Sequence, residues 1–184
     1  MNRELARRIR VPLGFLLTAG YLIVARPTPL TLIVGAAIAF VGLLVRAWAA
    51  GHIVKNDRLA TTGPYAHTRN PLYFGSFLIA AGFAIAAHWS LLLFVIAFFV
   101  LIYGPTIRDE RLSIQSRFPE AYGEWERNVP SFLPRPTPWR PVSVGAAEHP
   151  GFDLALYMRH GEWRAALGYA AVLAYLIFRM RRGA

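Results

Sequence analysis

Long apolar runs with almost no charge alternate with polar stretches along the chain, the runs falling at 11–25, 30–45, 72–87, 91–107 and 165–178. A hydrocarbon core takes about 17–25 helical residues to cross, so these runs are short and draw on flanking Tyr, Trp and Arg at the interfaces. Lipid offers backbone N–H and C=O groups no partner, so a run that spans is helical, and no alternating segments suggest a membrane β-barrel. The pattern predicts an all-α, polytopic integral membrane protein. Four core transmembrane helices come first (11–25, 30–45, 72–87, 91–107), with an additional C-terminal apolar helix at 165–178.

Two polar stretches, 51–71 and 108–160, separate the runs and are where chemistry would sit. From the end of the fourth run into the second stretch, Ile107, Ile114, Phe118, Tyr122 and Trp125 recur at near-helical spacing, which predicts an amphipathic helix lying on the membrane or folded back on the spans. The run VPSFLPRPTPWRP that follows has five prolines in thirteen residues, too many for a helix, and is expected to lie extended along the membrane surface as a linker. The division predicted is a membrane core at 1–141, with motif segments 51–71 and 108–134, and a linker with the C-terminal helix at 142–184.

Composition supports this class: 55% of the 184 residues are apolar, mean hydropathy is +0.38 and cysteine is absent. Collagen, disorder, disulfide scaffolds, zinc ribbons and thiol nucleophiles are excluded. Much of the net charge of +10 is explained by topology. An amino terminus inside places Arg46, Lys55, Arg58, Arg69, Arg108, Arg111, Arg117, Arg127, Arg135 and Arg140 on the cytoplasmic side and leaves Arg26 in an outer loop. Attraction to anionic lipid adds to this explanation, and no nucleic-acid partner is required. Arg3, Arg7, Arg8 and Arg10 ahead of the first run resemble a signal peptide, but no small–x–small site precedes Arg26, so the run reads as a retained span. The last run either spans, carrying Arg179, Arg181 and Arg182 outward, or lies interfacial or re-entrant; the spanning version is preferred. Ala- and Arg-rich usage fits a prokaryotic cytoplasmic membrane.

Several chemistries are struck off. No G-x-G occurs, so neither a dinucleotide loop nor a P-loop is present, and no serine sits in G-x-S-x-G. His52, His67, His88, His149 and His160 form no i, i+4 pair and no HExxH, so no metal site is expected. What remains is TTGPYAHTRNPLYFG, leading into the third run. Gly63-Pro64 marks a turn, Asn70 is placed to cap the helix, and Pro71 suits its first position. Arg69 beside that helix start makes an anion site for a carboxylate or phosphate; a capped interfacial helix with a snorkelling arginine is the alternative. Tyr65 and Tyr73 flank the cap and can hold a cation such as a sulfonium, while Gly63 and Gly75 would let a ligand approach the backbone; an aromatic belt is the plainer use. Asp109 and Glu110 follow the fourth run, where Glu110 is either a site acid or a partner for Arg108 or Arg111.

In order, RAWAAGH, GPYAHTRNPLYFG and an acid followed by RFPEAYGEWERNVPSFLP resemble the isoprenylcysteine carboxyl methyltransferase and phospholipid methyltransferase superfamily, over about residues 40–134. The resemblance implies an S-adenosylmethionine-dependent methyltransferase embedded in the membrane, with a cytoplasmic cofactor pocket and a lipid-accessible tunnel. It carries cofactor-binding roles to Gly63, Pro64, Tyr65, Arg69, Asn70, Pro71, Tyr73, Gly75, Glu110 and Tyr122, and catalytic roles to Arg69, Asn70 and Glu110. Trp125, Val129 and Pro130 complete the pattern. Asn70 stands where the family has His, Arg111 where it has a second Glu, and Pro119 where it has Gly; Asp109 is placed to compensate for Arg111.

Methyl transfer from a sulfonium to a carboxylate neutralises two charges, so excluding water favours it and positioning does most of the work. The acceptor expected is a lipophilic carboxylate or a lipid headgroup amine. A membrane-embedded, NADPH-dependent sterol-type reductase, whose family shares a similar segment, and a non-catalytic membrane adaptor are the rivals. Gly35, Ala39 and Gly42 suit close helix packing within or between chains, and the oligomeric state is unassigned.

Overall fold

The computed structural model describes residues 19–53, 59–140 and 151–183, and among these every regular element is helical, with no strand. Of the first predicted span, 11–18 lie outside the described residues, and 19–24 are helical. Helix α1 (Pro29–Ala50) starts on a Thr28/Thr31 capping box with proline at its first position. Helix α2 is Pro71–Ala87, and α3 is one rod, Leu91–Arg117, with a π turn at Phe99–Tyr103. Short α4 (Pro119–Asn128) and α5 (Leu154–His160) lead to α6 (Trp163–Gly183). Two of these, α1 and α3, are long and apolar enough to cross a membrane; α2 is apolar and 17 residues long.

The amphipathic helix expected past residue 107 is divided between α3 and α4. Pro119 disfavours helical backbone in the residue before it, and Phe118 adopts φ −133°, ψ 60°. The chain turns there and brings Tyr122 and Trp125 back onto Ala49 and Tyr65, the folded-back version of the expectation.

α1 and α2 pack antiparallel along a seam of small residues. A Cβ on Gly35 would lie 2.3 Å from the Gly82 carbonyl oxygen, and one on Gly42 would lie 2.6 Å from that of Gly75. The small residues of α1 therefore bring backbones together within the chain, as packing without a hydrophobic driving force demands. α6 runs antiparallel to α1 along its full length. Glu162, just before α6, pairs with Arg46 at 2.6 Å, the Tyr169 hydroxyl donates to Ala36 O at 3.1 Å, and Arg179 donates to the carbonyls of Ile23 and Ala25 at 3.3 Å. The arginine-rich end of α6 thus lies at the opposite end of the bundle from Arg46.

The proline-rich stretch is extended, but it is a strap against the 66–70 loop rather than a linker along a surface. Amides of Arg69, Arg135 and Trp139 donate to carbonyls of Pro130, His67 and Ala66 at 2.9, 2.9 and 3.0 Å. Thr68, 2% exposed, donates its hydroxyl to Phe132 O at 2.9 Å. Prolines in the strap lack donors, so the loop's amides and hydroxyl supply part of the pairing.

Candidate functional site

Where α1 ends and α2 begins, a single 3-10 turn, Gly63–Ala66, crosses the end of the bundle. Gly63 takes φ +57°, with the His52 ring 2.5 Å from where its Cβ would stand, so both backbone and packing demand glycine there. The turn buries Tyr65, whose carbonyl accepts from Trp125 Nε1 at 2.9 Å. Past Thr68 and Arg69 the chain enters α2 at Pro71. Asn70 is the residue before the helix but does not cap it with its side chain; its amide instead donates to Ser131 O at 2.8 Å, tying the helix start to the strap.

A cleft of about 200 Å³ opens at this point, lined by Tyr65, Arg69, Asn70, Pro71, Tyr73 and Glu110 together with Ile114, Phe118 and Trp125. Six of the ten sequence-predicted site residues line it. Tyr122 lies behind the wall, lining a small adjoining pocket with Arg69, Asn70 and Glu110. Gly63, Pro64 and Gly75 do not line the cleft: the close approach that Gly75 permits is to Arg46 and Gly42 of α1, and the approach at Gly63 is to His52. These glycines shape the walls rather than admit a ligand.

Two polar atoms in the cleft wall, Tyr65 Oη and Arg69 Nε, are buried without a hydrogen-bond partner. Burial, with the Glu110 and Glu162 charges adding to it and Arg46 opposing, pushes the Tyr65 phenol above its ordinary value, so it remains a neutral donor. The rest of the Arg69 group is engaged. Its Nη1 donates to the Tyr122 hydroxyl at 2.8 Å and pairs with Glu126, which also takes Arg111 Nε at 2.9 Å. Glu126 therefore holds two guanidinium groups in place. Sequence reasoning missed it, although Tyr122, Trp125 and Glu126 share the i, i+3, i+4 face of α4. Arg46 makes a bidentate pair with Glu162 and also reaches Leu72 O at 3.3 Å, pinning the first turn of α2.

Arg69 also lines a second cavity of about 490 Å³ between α2, α3 and the strap, walled by Phe77, Ile96, Phe99, Val100 and Phe132 together with Arg108 and Arg111. Arg69 borders both. The arrangement places buried donors, aromatic faces and a carboxylate in one compartment and a largely apolar compartment next to it. Among the described residues no group of three or more His, Asp or Glu side chains gathers to hold a metal ion.

The phospholipid methyltransferase family model matches residues 30–118, so the family resemblance holds over α1 to α3 and the loop that carries the cleft. With the two long apolar helices, this makes the chain a membrane-associated protein. The chain is similar to the cobalt-zinc-cadmium resistance protein CzcN of Cupriavidus metallidurans, 37% identical over 122 residues, covering 64% of this chain and 55% of that one. It is also similar to the nickel-cobalt-cadmium resistance protein NccN of Alcaligenes xylosoxydans xylosoxydans, 34% identical over 113 residues, covering 60% and 51%. The chain spans about half the length of each of these relatives. No solved structure matches it.

Removing the shared carboxylate should be felt as stability. Glu126→Ala leaves Arg69 and Arg111 without their common acceptor and is expected to cost about 1–3 kcal/mol, read as a lowered melting temperature in detergent; an unchanged melting temperature would remove Glu126 from this role.

Proposed function

We propose that the chain is an S-adenosylmethionine-dependent methyltransferase that acts on a lipophilic acceptor at the membrane. The observation that carries this reading is that Arg69 lines both a cleft of polar and aromatic groups and a second cavity walled largely by apolar side chains of α2, α3 and the strap. Members of the phospholipid methyltransferase family use S-adenosylmethionine in general. The residues present suit it. Tyr65, Tyr73 and Trp125 offer aromatic faces to a sulfonium, Arg69 has an unused donor for a carboxylate, and Glu110 can accept from ribose hydroxyls or an ammonium.

Held by Tyr65, Arg69, Tyr73, Glu110 and Trp125, the cofactor would supply an electrophilic methyl group on a sulfonium, with a neutral thioether as the leaving group. A carboxylate acceptor becomes an ester and no proton moves. An amine acceptor must lose a proton, and Glu110 is the group placed to take it. In either case the chain's own work is positioning: Arg69 and Tyr65 fix one partner, the apolar cavity aligns the other, and the walls keep water out. Asn70 has no titratable proton and its amide is committed to the strap, so it acts here as a positioning residue.

The topology proposed with this function has α1, α2, α3 and the run 11–25 as four crossings, with the cleft and amino terminus on the cytoplasmic side of a prokaryotic inner membrane. The domain division at 141/142 goes with it. α6 adds a further crossing: it lies along the whole of α1, and 21 helical residues at about 1.5 Å each approach the thickness of a hydrocarbon core. A reporter fused after residue 184 should read the outer compartment, and a cytoplasmic reading would make α6 re-entrant.

Calorimetry on detergent-purified protein tests the cofactor. S-adenosylmethionine and S-adenosylhomocysteine should bind saturably, with Arg69→Ala and Glu110→Ala each weakening them at least about tenfold, while NADPH gives no binding heat. Binding of NADPH alone would move the chain to the reductase reading, and binding of neither ligand to the adaptor reading.

A further inference from the structure

We infer that Glu162, from the C-terminal segment, is a positioning residue of the cleft, whose carboxylate cancels the Arg46 charge behind the wall and so lets the cleft accept a cation. The inference rests on the methyltransferase reading for the identity of that cation, the sulfonium.

Arg46 is the one charged residue of α1, and α2 carries none. The two helices therefore offer its guanidinium only neutral partners, the Leu72 carbonyl at 3.3 Å and the Ser76 hydroxyl. Its stem is fixed as well, since a Cβ on Gly75 would stand 2.6 Å from Arg46 Cγ. Leu72 lines the cleft between Pro71 and Tyr73, so Arg46 is bonded to the back of the cleft wall. The carboxylate that balances it comes from 116 residues on. Glu162 accepts from Nε at 2.9 Å and from Nη2 at 2.6 Å, and the two side chains are only 23% and 13% exposed. With so little water around the pair, a lone charge on either member would be felt beyond its own contacts.

The C-terminal segment is built to deliver that carboxylate. Asp153 caps α5, accepting from the amides of Ala155 and Leu156 at 2.7 and 3.2 Å, while its own amide donates to Gly51 O at 2.9 Å. At the far end of α5, His160 Nδ1 pairs with Ala50 O at 3.0 Å, so both ends of this helix are tied to the end of α1. Gly161 then takes φ +69°, a left-handed turn that swings the chain from α5 into α6 and sets Glu162 against Arg46.

The field of the pair reaches the cleft. Burial acts most strongly on the Tyr65 phenol and pushes it up, Glu110 next; Glu162 adds to them and Arg46 opposes. The lining already sets Arg69 and Arg117 against one carboxylate, Glu110. Without Glu162 a further cation would stand behind that wall, and a guanidinium cannot shed its proton to relieve it. S-adenosylmethionine carries one more positive charge than S-adenosylhomocysteine, so the ratio of the two affinities reports the balance.

Calorimetry at about pH 8 on detergent-purified Glu162→Gln, Arg46→Gln and the double variant reads that ratio, which the folded fraction of a sample does not affect. Glu162→Gln should lower the affinity for S-adenosylmethionine relative to S-adenosylhomocysteine at least about threefold. Arg46→Gln should raise it, and the neutral double variant should return it to the wild-type value. Equal weakening of both ligands in Glu162→Gln would reduce the pair to a brace and overturn the inference, whatever the second arm reads. That arm needs no cofactor: 3-fluorotyrosine at position 65, titrated by fluorine NMR, should ionise at lower pH in Glu162→Gln and at higher pH in Arg46→Gln. Those shifts in a protein that binds neither ligand would sink the methyltransferase reading and leave the charge balance standing, and an unmoved titration there would remove both.

Discussion

The Arg69 guanidinium is the point on which the site depends. Its backbone amide is held by Pro130, its Nη1 by Tyr122 and Glu126, and it borders both the polar cleft and the apolar cavity. A positive charge so placed has to be countered on the protein side without being quenched on the ligand side. Glu126 does this by sharing its carboxylate between Arg69 and Arg111, which leaves Arg69 Nε buried and unused. On the proposed function, the unused Arg69 donor would meet an anionic group and the aromatic surfaces beside it a cation. A zwitterionic amino acid bearing a sulfonium would satisfy both.

That geometry is carried by helices that approach each other through glycine. The Gly35–Gly82 and Gly42–Gly75 contacts bring the α1 and α2 backbones together, and Arg46 then reaches across to the first turn of α2. Its other partner, Glu162, belongs to the C-terminal segment, where Phe152 stacks on Gly51 and Asp153 donates its amide to Gly51 O at 2.9 Å. The C-terminal helices therefore reach the site through Arg46, and they buttress the end of α1 from which the cleft is built.

Much of this was legible in the sequence because helices in lipid leave strong local marks. The runs at 30–45, 72–87 and 165–178 lie inside α1, α2 and α6, and Pro71 starts its helix where a donor-less residue belongs. The cleft residues Tyr65, Arg69, Tyr73 and Glu110 were readable from motif order alone. What escaped depends on contacts between distant segments. Nothing local says that Asn70 would bond Ser131, sixty-one residues on, in preference to capping its own helix, or that the proline-rich stretch would pair with 66–70. Glu126 looked like one acid among several in a charged helix until the fold set it between two arginines. Glycines were misread for a related reason: a residue without a side chain announces a close approach but not whether ligand or helix will make it.

In the proposed reaction a methyl group passes from the cleft to an acceptor in the neighbouring cavity, past Arg69. The most direct measurement incubates the purified chain with methyl-labelled S-adenosylmethionine and a bacterial total-lipid extract, then partitions the mixture between water and organic solvent. Label is predicted to enter the organic phase only when the protein is present. Label that stays entirely in the aqueous phase, under conditions where the cofactor binds and across lipid extracts from several sources, would contradict the account.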